Sequence, residues 1–162
     1  MSRKLIVATL AALVMAGAVV ASPQQQAAAV AGPNVVTAGA AGVFPAGANF
    51  SGIQLAGGTF GIGVQTDGAG TAKGDLEYQL NGTSLIGLSQ WITVTGWITS
   101  GTQNADGSMT FNGTGTLDMG DGTAPTGGLA LVATLTSTGL TVTIGGNAIP
   151  TLPKSDGWIF IE

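Results

Sequence analysis

The chain has 162 residues, 44% of them hydrophobic and only 7% charged, with 28 glycines. That is room for one domain, made of short strands and tight turns rather than Leu-, Glu- and Lys-rich helices. Cysteine and histidine are both absent, which excludes disulfides, thiolate nucleophiles, imidazole-based triads and most zinc sites.

The N-terminus carries Arg3-Lys4, an apolar run from Leu5 to Val20, and small residues ending at Ala21. A basic start, an apolar centre and a small-residue end predict a secretory signal peptide over residues 1–21. At about 16 residues the run is shorter than the roughly 20 a spanning helix needs. Cleavage after Ala21 fits best, and Ala29-Val30-Ala31 offers a second site. Arg3-Lys4 is not a twin-arginine pair, so the expected route is the general secretory one, to the cell envelope or beyond.

Without residues 1–21, two lysines stand against eight acids, a formal charge of −6. A chain of that sign does not neutralise a row of phosphates, so nucleic acid is not an expected partner. Residues 22–50 are rich in Ala, Gln, Gly and Pro and show no sustained period. They read as a flexible leader that tightens only near Val43-Phe44.

The β domain is expected over residues 51–162. Ile53 and Leu55 make a first short strand, broken at Gly57-Gly58. Phe60, Ile62 and Val64 then alternate with small or polar residues, Asp67-Gly-Ala-Gly70 turns the chain, and Leu76, Tyr78 and Leu80 alternate with Asp75, Glu77 and Gln79. A period of two on both sides of a Gly-rich break predicts an antiparallel hairpin with one face toward a core. Asn81-Gly82 is the best two-residue turn, because both central positions of a type I′ turn take positive φ.

Next, Ile86, Leu88, Ile92, Val94 and Ile98 share one parity, and Trp91, Thr93, Thr95, Trp97 and Thr99 the other. That stretch exceeds an ordinary strand, so a break near Gly87–Gln90 is expected. Asn104-Ala-Asp-Gly107 turns the chain into a strand with Met109, Phe111 and Leu117 inward. Gly113 and Gly115 sit at inward positions, where a sheet bends or admits a bulky neighbour. Met119–Gly128 reads as a loop, Leu129–Thr138 and Leu140–Ile144 as a strand pair, residues around Pro150 and Pro153 as a loop, and Trp158–Ile161 as the last strand. The sum is an all-β, compact antiparallel barrel or sandwich of about 8 short strands. Open edges are expected at Ile53–Leu55 or Trp158–Ile161. With few aromatics for girdles and short strands, stable membrane insertion as an outer-membrane barrel is not expected.

Gly58-Thr-Phe-Gly-Ile, Lys73-Gly-Asp-Leu-Glu-Tyr, Phe111-Asn-Gly-Thr-Gly-Thr-Leu and Asp156-Gly-Trp-Ile-Phe-Ile resemble, in that order, motifs of the post-choice-of-anchor family of small secreted bacterial domains. The similarity spans roughly residues 52–162. It implies a compact all-β exported domain, alone or attached to other exported proteins, with no established activity. The chain departs from the family in lacking histidine and in its long threonine-rich stretches, and the resemblance transfers no functional residue.

Three groups of residues carry candidate chemistry. Asp75 and Glu77 share a strand face about 6–7 Å apart, a spacing seen in glycosidases, but clean alternation makes them the solvated face of an amphipathic strand. Asp118 and Asp121 flank a loop with hard oxygen ligands of the kind calcium takes; Asp-Gly is also plain turn chemistry, and the spacing matches neither the EF-hand nor the Gly-Gly-x-Gly-x-Asp repeat. Trp91 and Trp97 share a face opposite Ile92, Val94 and Ile98. Displayed, they would form sugar-binding platforms, though roughly 20 Å apart; large aromatics usually find cover, so a bulge or second layer burying one or both is expected. The functional expectation is a secreted, non-catalytic structural or interaction domain without a cofactor; the sequence names no partner, and an envelope polymer or glycan is the candidate class. A glycan- or small-ligand-binding module using Trp91 and Trp97 is the alternative, and a polysaccharide-acting enzyme stands third.

Overall fold

The computed structural model describes Val35–Glu162; the expected signal peptide and the first part of the expected leader lie outside the described residues. Ten strands and no helix occur in them: β1 Val35–Val43, β2 Asn49–Phe50, β3 Ile53–Thr66, β4 Thr71–Thr83, β5 Ser89–Gln103, β6 Met109–Asp118, β7 Thr126–Thr136, β8 Gly139–Ile144, β9 Asn147–Pro153 and β10 Asp156–Ile161. All lie in one sheet, in the order β10-β1-β3-β4-β5-β6-β7-β8-β9, with β2 paired to β3. Every pairing is antiparallel. The sheet curls into a half-barrel. The outermost strands β9 and β10 are joined by Lys154-Ser155, whose N–H groups extend the neighbouring ladders, Lys154 donating to the Thr138 carbonyl (2.7 Å) and Ser155 to the Ala41 carbonyl (2.9 Å).

Alternation decides which face is inside. Phe60, Ile62 and Val64 of β3, Leu76, Tyr78 and Leu80 of β4, and Ile92, Val94 and Ile98 of β5 are all buried, as the period of two requires. Phe60 meets Tyr78 edge to face at 6.4 Å, directly across the β3–β4 pair. Glycine sets the curl. A Cβ on Gly96 would overlap Leu131 Cδ2, and one on Gly115 would stand 2.9 Å from Ile144 Cδ1. Leu131 and Ile144 therefore fill space that two bare backbone positions leave open.

Several expectations give way. The β body starts at Val35, not near Ser51: β1 lies within the expected leader 22–50, hydrogen-bonded between β10 and β3. Its inward residues Val36, Ala38 and Ala40 alternate with Thr37, Gly39 and Ala41, and such small residues give too little contrast for a period to register. Gly57-Gly58 does not end β3: both pair with β4, and the strand only bulges at Ala56, where the register shifts between Leu55 and Gly57. Asn81-Gly82 is no turn but part of β4, paired on both sides; a Cβ on Gly82 would stand 2.7 Å from Ile53 Cγ2, so close packing and not positive φ explains this glycine. The chain turns at Ser84–Leu88 instead.

Pro150 sits inside strand β9, not in a loop. It is tolerated because β9 ends the sheet, so the missing N–H breaks no ladder on the outer side. Ile53–Leu55 is no open edge, being covered by β4 and, at Ile53, by β2. The outermost strands are β9 and β10.

Candidate functional site

The outer face of the sheet carries the polar and aromatic half of the alternation. Trp91 and Trp97 stand on it, 64% and 60% exposed. This corrects the expectation that a bulge or second layer covers them: the sheet is single, and among the described residues nothing buries these two indoles on its outer side. Along β5 the two indoles remain six residues apart, so the structure does not bring them together.

What it does bring together lies across the strands. Phe160, Thr37, Gly63, Asp75 and Trp97 are successive directly opposed residues on β10, β1, β3, β4 and β5. The next row, roughly 7 Å away along the strands, runs Trp158, Gly39, Gly61, Glu77 and Thr95 in the same way. Each row has an aromatic on β10, small residues in the middle, and a carboxylate on β4. Four strand spacings, roughly 19 Å, separate the β10 aromatics from Trp97.

The bare middle of these rows is occupied by neighbours lying flat. An added Cβ on Gly39 would meet Nε1, Cε2 and Cζ2 of Trp158 at 3.4–3.5 Å, and one on Gly63 would meet Asp75 Oδ1 at 3.5 Å. Trp158 thus lies down on Gly39 and keeps much of its ring in solvent. The Glu77 carboxylate accepts from Gln79 Nε2 at 2.8 Å. Shallow grooves run on either side of Glu77: one of about 400 Å³ along Asp75, Thr95, Trp97, Thr114 and Thr116, the other of about 240 Å³ along Thr59, Gly61 and Gln79. Trp91 borders a separate, mostly apolar groove of about 470 Å³ with Val43, Gly57 and Asn81.

The residues that sequence reasoning missed are Trp158 and Phe160. Their parity within β10 was readable, because Ile159 and Ile161 take the inward positions. Their alignment with Asp75, Glu77 and Trp97 was not, since it depends on pairing between residues more than a hundred positions apart in the chain.

The Asp118/Asp121 loop is internally bonded. Asp118 Oδ1 accepts the Gly120 N–H at 2.8 Å. Asp121 Oδ1 accepts the Thr123 hydroxyl at 2.6 Å and the Thr123 N–H at 2.9 Å. Those two bonds, the hydroxyl first, hold the Asp121 carboxyl below the usual carboxylate range. One oxygen of each carboxylate is thus committed to its own turn, and among the described residues no group of three or more acids comes together. The loop lies against β5, where a Cβ on Gly120 would collide with the Trp91 carbonyl. Tyr78 is a different case: its hydroxyl is buried without a partner, and desolvation raises its pKa well above the usual phenol range, which leaves it a core residue and not a proton donor to solvent.

The four Gly-rich motifs singled out in the sequence fall on β3, β4, β6 and β10. No family model, curated protein or solved structure matches the chain.

Proposed function

We propose that this protein is an exported, non-catalytic interaction domain that binds an extended, uncharged glycan chain along the outer face of β10, β1, β3, β4 and β5. The observation that carries the reading is the pair of opposed rows, with Trp158 and Phe160 at one side, Trp97 at the other, and a glycine floor between them. Exposed indole faces stack on sugar rings through dispersion and displaced water. Glutamate, aspartate, glutamine and threonine beside them offer the hydroxyl-binding groups that orient a sugar. A ligand touching both aromatic sides crosses five strands, so it is a chain and not a monosaccharide. Two carboxylates on β4 and a surplus of acids overall disfavour anionic polymers.

The non-catalytic part of the reading rests on the setting of Asp75 and Glu77. Both stand exposed on a sheet face, whereas a carboxyl acting as general acid near neutral pH needs an environment that raises its pKa. Export rests on the N-terminal sequence pattern.

Titration of the Ser22–Glu162 chain with neutral glucans and N-acetylglucosamine oligomers, followed by calorimetry, tests the proposal. Binding to at least one neutral polymer is expected, weakened at least tenfold by Trp97→Ala and by Trp158→Ala, with a uronate polymer binding less. Failure of every neutral polymer, or affinity indifferent to both substitutions, sinks the reading. Loss of a polysaccharide-cleaving activity in Glu77→Gln would replace it with the enzyme reading.

A further inference from the structure

The hairpin loop joining β4 to β5 ends in Ser84-Leu-Ile-Gly-Leu88. Leu85 is 91% exposed and Ile86 80%, and Leu88 and Trp91 below them are exposed as well. Three large aliphatic side chains on one loop, touching almost nothing in their own protein, are an unusual surface for a soluble domain.

We infer that this tip docks reversibly on a lipid surface, with Leu85, Ile86 and Leu88 entering the acyl boundary. Four observations point to lipid as the occupant. The tip is convex, as the near-complete exposure of Leu85 and Ile86 requires, so a deformable apolar phase fits it without a preformed pocket. Its backbone is largely self-satisfied: the Ser84 N–H donates to the Leu88 carbonyl and the Gly87 N–H to the Ser84 carbonyl, both at 2.9 Å, and the Leu88 N–H to Ser84 Oγ at 3.1 Å. Three of the five N–H groups of the loop therefore need no water, which suits entry into a medium that supplies none.

Charge is the third observation. No charged residue occurs between Gln79 and Ala105, or between Val35 and Thr66, so both strands of the hairpin above Glu77 and the neighbouring β1–β2 loop are uncharged. No ionised group there resists desolvation. Depth is the fourth. Trp91 lies three strand residues below Leu88, roughly 10 Å, and interfacial elements bury their apolar side about 5–10 Å into the headgroup and acyl boundary. Trp91 thus falls at headgroup level, where indoles gather. The acids Asp118 and Asp121 belong to the loop lying beside Trp91, so the contact favours zwitterionic over anionic headgroups. Docking of this kind is peripheral and needs no spanning segment.

The test is sedimentation of the Ser22–Glu162 chain, which holds all ten strands and the core, with phosphatidylcholine vesicles. A second arm follows the emission of Trp91 alone, in a Trp97→Phe/Trp158→Phe background, with brominated phosphatidylcholine as quencher. Partition into vesicles is expected, with blue-shifted and quenched Trp91 emission. Leu85→Asp/Ile86→Asp should lower partition at least tenfold while leaving the thermal midpoint unchanged, and adding phosphatidylglycerol should not raise it. Absence of partition, or partition unaffected by the double substitution, overturns the inference. So does a protein partner that crosslinks at Leu85 while vesicles fail to bind, since that would assign the tip to a protein pocket. Affinity for neutral glycan is a separate readout, so the two proposals stand or fall independently.

Discussion

The two ends of strand β4 are closed by different chemistry. At its start, the turn from β3 is held by Asp67, whose Oδ1 accepts the N–H groups of Ala69 (2.8 Å) and Thr71 (3.0 Å). The neighbouring β5–β6 turn repeats the device: Asp106 Oδ1 accepts the Ser108 hydroxyl at 2.6 Å and its N–H at 3.0 Å. At the far end of β4 the same task falls to an uncharged hydroxyl, Ser84 Oγ, and the rest of the loop is aliphatic. Both solutions close a hairpin. Only the second leaves its own hairpin free of charge, although the Asp118/Asp121 loop lies beside it at Trp91.

The largest effect that sharpens this contrast is expected beside the uncharged hairpin, in the loop that rests on β5. Gly120 has φ of +64° and its added Cβ would strike the Trp91 carbonyl. Gly120→Ala should therefore cost about 3 kcal/mol in urea unfolding, since strain and collision add. Gly87 in the β4–β5 loop has φ of +83° but open space around it; Gly87→Ala should cost only about 1 kcal/mol. Equal costs would show that the loop carrying Asp118 and Asp121 does not rest on β5. Ser84→Ala, which removes the acceptor for the Leu88 N–H, should cost less again, about 0.5 kcal/mol, with faster amide exchange confined to Leu88.

The smallest effect is one of pH, and it separates the two ends directly. The N–H bond from Ala69, then the side chain of Thr71, lower the pKa of Asp67; the Ser108 hydroxyl, then its N–H, lower that of Asp106. A carboxyl with a depressed folded pKa contributes its stability above the ordinary aspartate value, about 3.9, and loses it as pH falls through the folded value. Protection of the Ala69 and Ser108 amides, taken relative to the intrinsic exchange rate at each pH, should accordingly fall on acidification from pH 5 to below 3, while that of Leu88 stays unchanged. A matching loss of protection at Leu88 would mean that acid loosens the whole sheet and not its carboxylate turns.

The inner face of β3, β4 and β5 was legible because large apolar residues alternate with polar ones, and burial follows that contrast residue by residue. Strand β1 was missed because alanine and glycine carry the alternation there. The turn expected at Asn81-Gly82 failed for a related reason. Glycine meets two needs, positive φ and bare backbone, and only the neighbours decide which; here Ile53 and the Gln54 carbonyl stand where a side chain would go.

By itself the sequence determined the chemistry available and the inward face of the strands rich in large apolar residues: no imidazole, no thiol, an acidic balance, and the alternation of β3, β4 and β5. Those properties are local, fixed by side-chain type and by the two-residue repeat of an extended backbone. Tertiary structure alone decided that Trp97, Asp75 and Phe160 fall in one row, that Trp158 lies on Gly39, and that Leu85 and Ile86 project uncovered. Register across a curled sheet is set by bulges and long-range pairing, and one residue of slip would send each of these side chains to the other face.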